Sequence, residues 1–83
     1  MTAYILIQKR HDANPVAGTI RQMRGIIEAE DLTGPFDAIA LDKAESTRDL
    51  FDRVLPEIRK VEGVTHALPA LLGRARDASN RAA

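Results

Sequence analysis

The residues best suited to chemistry form one short segment near the middle of the chain, Thr33-Gly34-Pro35-Phe36-Asp37. The segment separates two apolar runs, 26–32 and 38–41, so its Gly-Pro pair predicts the loop of a β-hairpin. Proline fixes its own φ and restricts the residue before it, so we expect a stiff loop with Gly34 extended. Asp37 is then predicted to begin the next strand. Its carboxylate could face a cleft and bind a ligand, or simply accept hydrogen bonds from turn amides.

Other side chains capable of chemistry are few and scattered. Glu28 and Glu30 share one face of a predicted strand, which fits either paired carboxylates or a solvated face. His11 lies in a polar loop and His66 on the last predicted strand, and neither has a visible nucleophile as a partner. The sequence contains no cysteine, no glycine-rich phosphate loop and no metal-ligand spacing. We therefore predict no catalytic residue, no metal and no cofactor.

Hydrophobic patterning predicts the elements that position the loop. Apolar runs at 3–8, 26–32, 36–42 and 64–72 predict four strands, the first of them buried on both faces. Pro69 indicates that the last strand lies at a sheet edge or contains a bulge. Asn14 and Pro15 predict the start of the first helix, as N-cap and first helical residue. Gly18 within this helix suggests a close approach to the sheet.

The second helix is predicted to begin at a capping sequence, Ser46-Thr47-Arg48-Asp49. Its apolar stripe repeats at helical spacing and continues past a proline. Because Pro56 removes a hydrogen bond and clashes with a preceding carbonyl, we expect a kink or a break there. The stripe comprises Leu50, Val54, Ile58 and Val61, widened by Phe51 and Leu55.

The order β-α-β-β-α-β predicts a ferredoxin-like α+β fold, with a four-stranded antiparallel sheet and both helices on one face. The chain has 83 residues, of which 45% are hydrophobic, so we predict one domain over residues 1–72 and a flexible tail over 73–83. The strands are too apolar for a sheet with one face in water, which predicts a homodimer with the sheets packed face to face.

Charge and composition limit the classes of partner that we expect for the chain. The formal net charge is zero and no basic stripe is present, so direct binding of nucleic acid is not expected. The longest apolar run is far short of the ~18 residues that a membrane span needs, so no membrane partner is expected. The N-terminus has no positively charged region before its apolar run, which argues against a signal peptide and favours the cytoplasm.

The hairpin loop also carries a family resemblance. The run Thr33 to Leu41, followed by a helix and then by Val61-Glu62-Gly63-Val64-Thr65, resembles the effector-binding domain of the Lrp/AsnC regulators. That domain is also called the RAM domain (regulation of amino acid metabolism). The resemblance covers residues 2–72. Full-length members carry an N-terminal helix-turn-helix, whereas this sequence starts at the first strand, so it resembles a stand-alone RAM domain without a DNA reader.

The resemblance implies a dimeric α/β-barrel, often assembled further into octameric rings of four dimers, with an amino-acid effector held between dimers near the hairpin loop. It implies that Gly34 offers backbone groups and that Asp37 pairs with the ligand's ammonium group. Many members carry Thr-x-Thr on the last strand, where this chain has Ala67 and Pro69, so the pocket departs from the family pattern. The ligand-binding residues implied are Thr33, Gly34, Phe36, Asp37, Thr65 and Ala67.

Three hypotheses about function follow. The first is an amino-acid-sensing module linked to transcriptional regulation. The second is an interaction module that co-assembles with full-length Lrp/AsnC regulators and alters their oligomers. The third is an enzyme of the dimeric-barrel monooxygenase type, for which Tyr4 and His66 are the only hints.

Overall fold

The fold places four strands and two helices in two layers. The computed structural model describes residues 1–71. The elements are β1 Thr2–Lys9, α1 Ala17–Arg21, β2 Ile26–Asp31, β3 Ala38–Lys43, α2 over residues 47–59, and β4 Val64–Leu71. The four strands pair antiparallel in the order β2-β3-β1-β4, which confirms the predicted ferredoxin-like fold with β4 as an edge strand. The predicted tail, and the last residue of the predicted fourth strand, lie outside the described residues.

One face of the sheet and both helices enclose the core. Alternate residues of each strand point to this face, as the two-residue period of a strand requires. Several of these residues are alanines, whose small side chains let the helices lie close to the sheet. The buried strand residues are Ala3, Ile5, Ile7, Ala29, Ala38, Ala40 and Ala67, and the main helix residues facing them are Ala17, Ile20, Leu50, Val54, Leu55 and Ile58.

The opposite face of the sheet, which we call the open face, carries apolar side chains that no helix covers. Tyr4 is 37% exposed and Leu68 is 45% exposed, and both lie on this face by the strand register. The prediction that β1 is buried on both faces is therefore wrong for the single chain, because both helices pack on one side only. The central residues of the open face are Tyr4, Leu6, Ile39, Leu41 and Leu68.

Helix α1 is shorter than predicted and is capped from another element. It begins at Ala17, and the Asn14 side chain does not cap it. Instead, Asp31 at the end of β2 accepts a hydrogen bond from the Ala17 N–H through Oδ1, at 3.1 Å. A close approach to the sheet does not explain Gly18, because no heavy atom lies within 4 Å of where its Cβ would be.

Helix α2 is continuous through three segments: α-helical Thr47–Asp49, π-helical Leu50–Val54 and α-helical Leu55–Arg59. The Ser46 hydroxyl accepts a hydrogen bond from the Asp49 N–H at 3.0 Å, which confirms the predicted cap. Of the predicted kink or break at Pro56, the break does not occur, because the helix is continuous and a wider π-helical turn, Leu50–Val54, lies just before the proline. An added residue in this turn accommodates both the missing N–H and the bulk of the proline ring.

The apolar stripe of α2 continues past the proline, as predicted, but one member of it does not face the core. Phe51 is 48% exposed, so it does not widen the stripe. It follows the buried Leu50 by one residue, which turns its side chain toward the outer side of the helix. Within residues 1–71, neither helix is long and apolar enough to cross a membrane.

Two glycines give opposite predictions for an added methyl group. Gly63 has φ +95°, and a Cβ there would lie 2.5 Å from the Ala13 Cβ, so we expect Gly63→Ala to destabilise the fold by about 2–4 kcal/mol. Gly18 has open space around it in a helix, so Gly18→Ala should stabilise by about 0.5–1 kcal/mol. Urea unfolding at one fixed protein concentration measures both changes. Equal midpoints for the two variants would contradict this account.

Candidate functional site

The hairpin loop, residues 32–37, is fixed to the end of β1. The Leu32 N–H donates to the Asp37 carbonyl at 2.8 Å, which closes the loop. The Asp37 N–H donates to the Ile7 carbonyl at 2.8 Å, and the Gln8 side-chain amide donates to the Pro35 carbonyl at 3.0 Å. These three hydrogen bonds close the loop and attach it to the end of β1, while its predicted stiffness stays a prediction.

The loop keeps several backbone donors for an external partner. The N–H groups of Thr33, Gly34 and Phe36 make no backbone hydrogen bond with any other residue of 1–71. Gly34 has φ +130°, so the extended conformation predicted for it is wrong. Its surroundings are open, so the backbone conformation, not lack of space, favours glycine there. The loop therefore contains three backbone N–H groups that no described backbone carbonyl accepts.

Asp37 lies directly before β3 and is half-buried. Its Oδ2 accepts a hydrogen bond from the Lys9 N–H at 2.8 Å, so the carboxylate fastens the loop to β1 and does not bind the amides of its own turn. Its Oδ1 accepts no hydrogen bond from any described residue. A carboxylate has about four acceptor positions, so Asp37 can hold Lys9 and still accept hydrogen bonds from a cationic group.

The two remaining candidates lie on β4, on the other side of β1. Thr65 is exposed at the same end of the sheet as the hairpin loop, two strand spacings or about 10 Å across. Ala67 is paired with the core residue Ile7 and is 1% exposed, so its methyl group faces the helices. The structure thus groups the four loop candidates, places Thr65 at the same end of the sheet, and turns the Ala67 side chain into the core.

The side chains that suggested other chemistry lie apart on the open face. Glu28 and Glu30 are exposed on β2, as the solvated-face interpretation expects. Tyr4 pairs with Ala70, four residues along β4 from His66, a separation of about 13 Å. Tyr4 and His66 therefore share no pocket within the single chain.

Comparison with solved structures places the fold in a family. The crystal structure of TTHA0845 from Thermus thermophilus matches with a TM-score of 0.77 and 31% sequence identity, over 89% of this chain and 94% of that one. The chain belongs to the family of TTHA0845. No protein-family model matches the sequence, and no curated protein matches it.

Transcriptional regulators share the same fold. The structure of the regulator NMB0573 from Neisseria meningitidis, a complex with L-Met, matches at a TM-score of 0.72 and 20% identity, over 89% of this chain and 51% of that one. The leucine response regulatory protein LrpA from Mycobacterium tuberculosis matches with a TM-score of 0.68 and 20% sequence identity, over 87% of this chain and 51% of that one. The chain spans about half the length of these regulators, and the predicted resemblance to the Lrp/AsnC RAM domain is confirmed at the level of the fold.

The chain also contains a buried carboxyl group that sequence reasoning missed. Asp42 on β3 is 0% exposed, and neither carboxyl oxygen has a hydrogen-bond partner among residues 1–71. Burial raises the pKa of Asp42; the nearby Arg53 and N-terminal ammonium group oppose the rise, while Asp49 adds to it. The β3 pattern could have revealed it, because Asp42 continues the alternation of the buried Ala38 and Ala40.

Arg53 on α2 binds other acids and makes no hydrogen bond to Asp42. Its guanidinium binds Asp49 through two hydrogen bonds, of 2.7 Å and 2.9 Å, and contacts Glu57 at 3.2 Å. The hydrogen bonds from Arg53 are the main cause that lowers the pKa of Asp49, and the same bonds raise the pKa of Arg53. Asp42 therefore lacks the direct partner that a buried carboxylate needs.

Replacing Asp42 by asparagine should raise stability at neutral pH. The folded-state pKa of Asp42 is raised above 3.8, so the folded chain retains a proton that the unfolded chain has lost. The Asp42 carboxyl group therefore contributes less to the free energy of unfolding as the pH rises from about 3.8 through the folded-state pKa, and its contribution stays low at higher pH. We expect Asp42→Asn to unfold at higher urea than wild type at pH 7, with a much smaller difference at pH 3. A variant less stable at pH 7 would show that Asp42 is ionised and held by Arg53.

Proposed function

We propose that the chain is an amino-acid-binding, oligomerising domain of Lrp/AsnC type, linked to transcriptional regulation and without direct contact to DNA. The observation that carries this is the hairpin loop, where an anchored carboxylate with a spare oxygen lies beside three backbone N–H groups. An amino acid needs a carboxylate for its ammonium group and N–H donors for its own carboxylate. The L-Met complex of the related regulator fold supports the same ligand class.

The chain's charge and composition fit this function. A net charge of zero gives no electrostatic footprint for DNA, so the domain would act through other regulators or through its own assembly. We propose the cytoplasm as its location, since transcriptional regulators act there. Co-assembly with full-length regulators is the alternative, and it gains support if no amino acid binds.

We also propose that the domain forms a homodimer through the open face. Five large apolar side chains lie in the centre of that face, and polar residues including Glu28, Glu30, Gln8 and His66 surround them. A patch of this kind is costly to leave in water. A second copy related by a two-fold axis presents the same apolar centre, so the two faces are complementary by symmetry.

The variant Asp37→Asn tests whether the charge of Asp37 binds a ligand, while keeping the hydrogen bond by which Asp37 attaches the loop to β1. An amide oxygen can still accept the Lys9 N–H, so we expect an unchanged melting temperature without ligand. The missing charge should abolish the shift caused by an amino acid, which for wild type at 100 times its Kd is about 2.7 kcal/mol and at least about 10 °C. The measurement is a thermal-shift screen of the twenty common amino acids, starting with L-methionine. Asp37→Ala is the companion variant, and it should lose stability as well as binding.

Two outcomes would count against the amino-acid proposal. If no amino acid stabilises wild type, the domain does not bind this ligand class under the conditions tested. If Asp37→Asn retains the full wild-type shift, the carboxylate charge takes no part in binding, and Asp37 serves only to fasten the loop.

The homodimer proposal predicts different masses for two matched lysine variants. Leu68 and Phe51 are 45% and 48% exposed, but Leu68 lies on the open face and Phe51 on the outer side of α2. We expect Leu68→Lys to place charges in the dimer interface and to give the monomer mass of 9.1 kDa at micromolar concentration. Wild type and Phe51→Lys should give at least twice that mass by light scattering. A monomeric wild type would overturn the proposal.

A further inference from the structure

A cavity lies on the helix side of the molecule, away from the open face and from the hairpin loop. It has a volume of about 600 Å³ and lies between the segment 10–19, which leads into α1, and the segment 57–62, where α2 ends. We call it the α1–α2 cleft. Its size is within the range of about 300–1,000 Å³ that is usual for small-molecule sites. It shares no lining residue with the hairpin loop.

Backbone contacts fix one wall of the cleft. The Arg10 N–H donates to the Gly63 carbonyl at 2.8 Å, and the Lys9 ammonium group donates to the Ala13 carbonyl at 2.9 Å. Gly63 lies so close to Ala13 that it has no room for a side chain. The loop before α1 is therefore held against the end of α2, and a ligand would not have to order it on binding.

The charges lining the cleft are partly neutralised within the protein. Arg10 pairs with Asp12 at 3.5 Å, and Glu57 pairs with Arg53 at 3.2 Å. Lys60 and Glu62 also line the cleft and make no ion pair within residues 1–71. One exposed cation and one exposed anion of the lining are therefore available to a ligand.

The cleft also has neutral polar groups and an apolar base. Asn14 and Thr19 supply an amide and a hydroxyl group, while Val16 and Val61 supply apolar surface. Val16 is 2% exposed, so it forms part of the floor and not of the rim. This combination suits a small molecule that carries an ammonium group, a carboxylate and an apolar side chain.

We infer that the α1–α2 cleft is a second small-molecule site, for an amino-acid-sized zwitterion with an apolar side chain. The ligand's carboxylate would meet Lys60, its ammonium group would meet Glu62, and its side chain would lie on the two valines. The site is formed within one chain and does not depend on the hairpin loop or on a dimer.

Backbone amide NMR on the full chain tests this inference. Each of the twenty common L-amino acids is titrated to millimolar concentration, and signals of residues 10–19 and 57–62 are followed. We expect at least one apolar amino acid to shift these signals in a saturable way, in wild type and in Asp37→Asn alike. Lys60→Ala should raise the Kd at the cleft by about tenfold, because it removes a charge-assisted hydrogen bond.

Arg48→Ala is the control, because it removes a cation from the first turn of α2, outside the cleft, at a side chain that is 89% exposed. It should leave the Kd unchanged. The inference is overturned if no amino acid shifts the cleft signals, if Lys60→Ala and Arg48→Ala behave alike, or if the cleft shifts vanish in Asp37→Asn. Loss of the cleft signals in Asp37→Asn would mean that they report binding at the hairpin loop. Loss of binding at the hairpin loop alone would contradict the proposed function but not the cleft site.

Discussion

The hydrogen bond from the Lys9 N–H to the Asp37 carboxylate joins the two parts of the molecule for which we propose binding sites. It lies at the end of β1, the strand that pairs with both β3 and β4. Lys9 also contacts the loop before α1, because its side-chain ammonium group donates a hydrogen bond to the Ala13 carbonyl. One short stretch of β1 therefore holds the hairpin loop and one wall of the α1–α2 cleft.

The second constraint is that two short helices cover only one face of a four-stranded sheet. Alanines on the covered face let the helices approach closely, and most large side chains of the core come from β1, α1 and α2. A chain of this size buries only about 60–65% of the surface that it exposes when unfolded. Burying the apolar side chains of the open face would add to this stability, and the proposed homodimer would bury them.

Sequence patterns predicted the fold because its strands, turns and second helix carry strong local signals. The alternation in β3, the Gly-Pro hairpin and the Ser46 cap are all properties of neighbouring residues, and the structure confirms them. The start of α1 was misplaced because its cap, Asp31, is fourteen residues distant in sequence. The π turn before Pro56 was missed because a kink, a break and a π turn all relieve the same clash.

The candidate site was only partly predictable, for a related reason. The loop sequence identified Asp37, but the partner of its carboxylate is a backbone N–H of β1, which no side-chain pattern reveals. Ala67 was selected by position in a family pattern, and only the strand register shows that it faces the core. The cleft was invisible to sequence reasoning, because its two walls meet only through tertiary packing of the segments around α1 and α2.

Asp37 and Asp42 show how burial divides the roles of two carboxyl groups at opposite ends of one strand. Asp42 is sealed between the sheet and α2, so its ionisation is opposed and no solute can reach it. Asp37 is half-buried, with one oxygen fixed by Lys9 and the other still able to accept a hydrogen bond. Fixing one oxygen reduces the freedom that a binding partner would otherwise have to remove. Of the two, only Asp37 combines a defined position with access from solvent, and this favours the hairpin loop as the place where the domain meets a cationic ligand group.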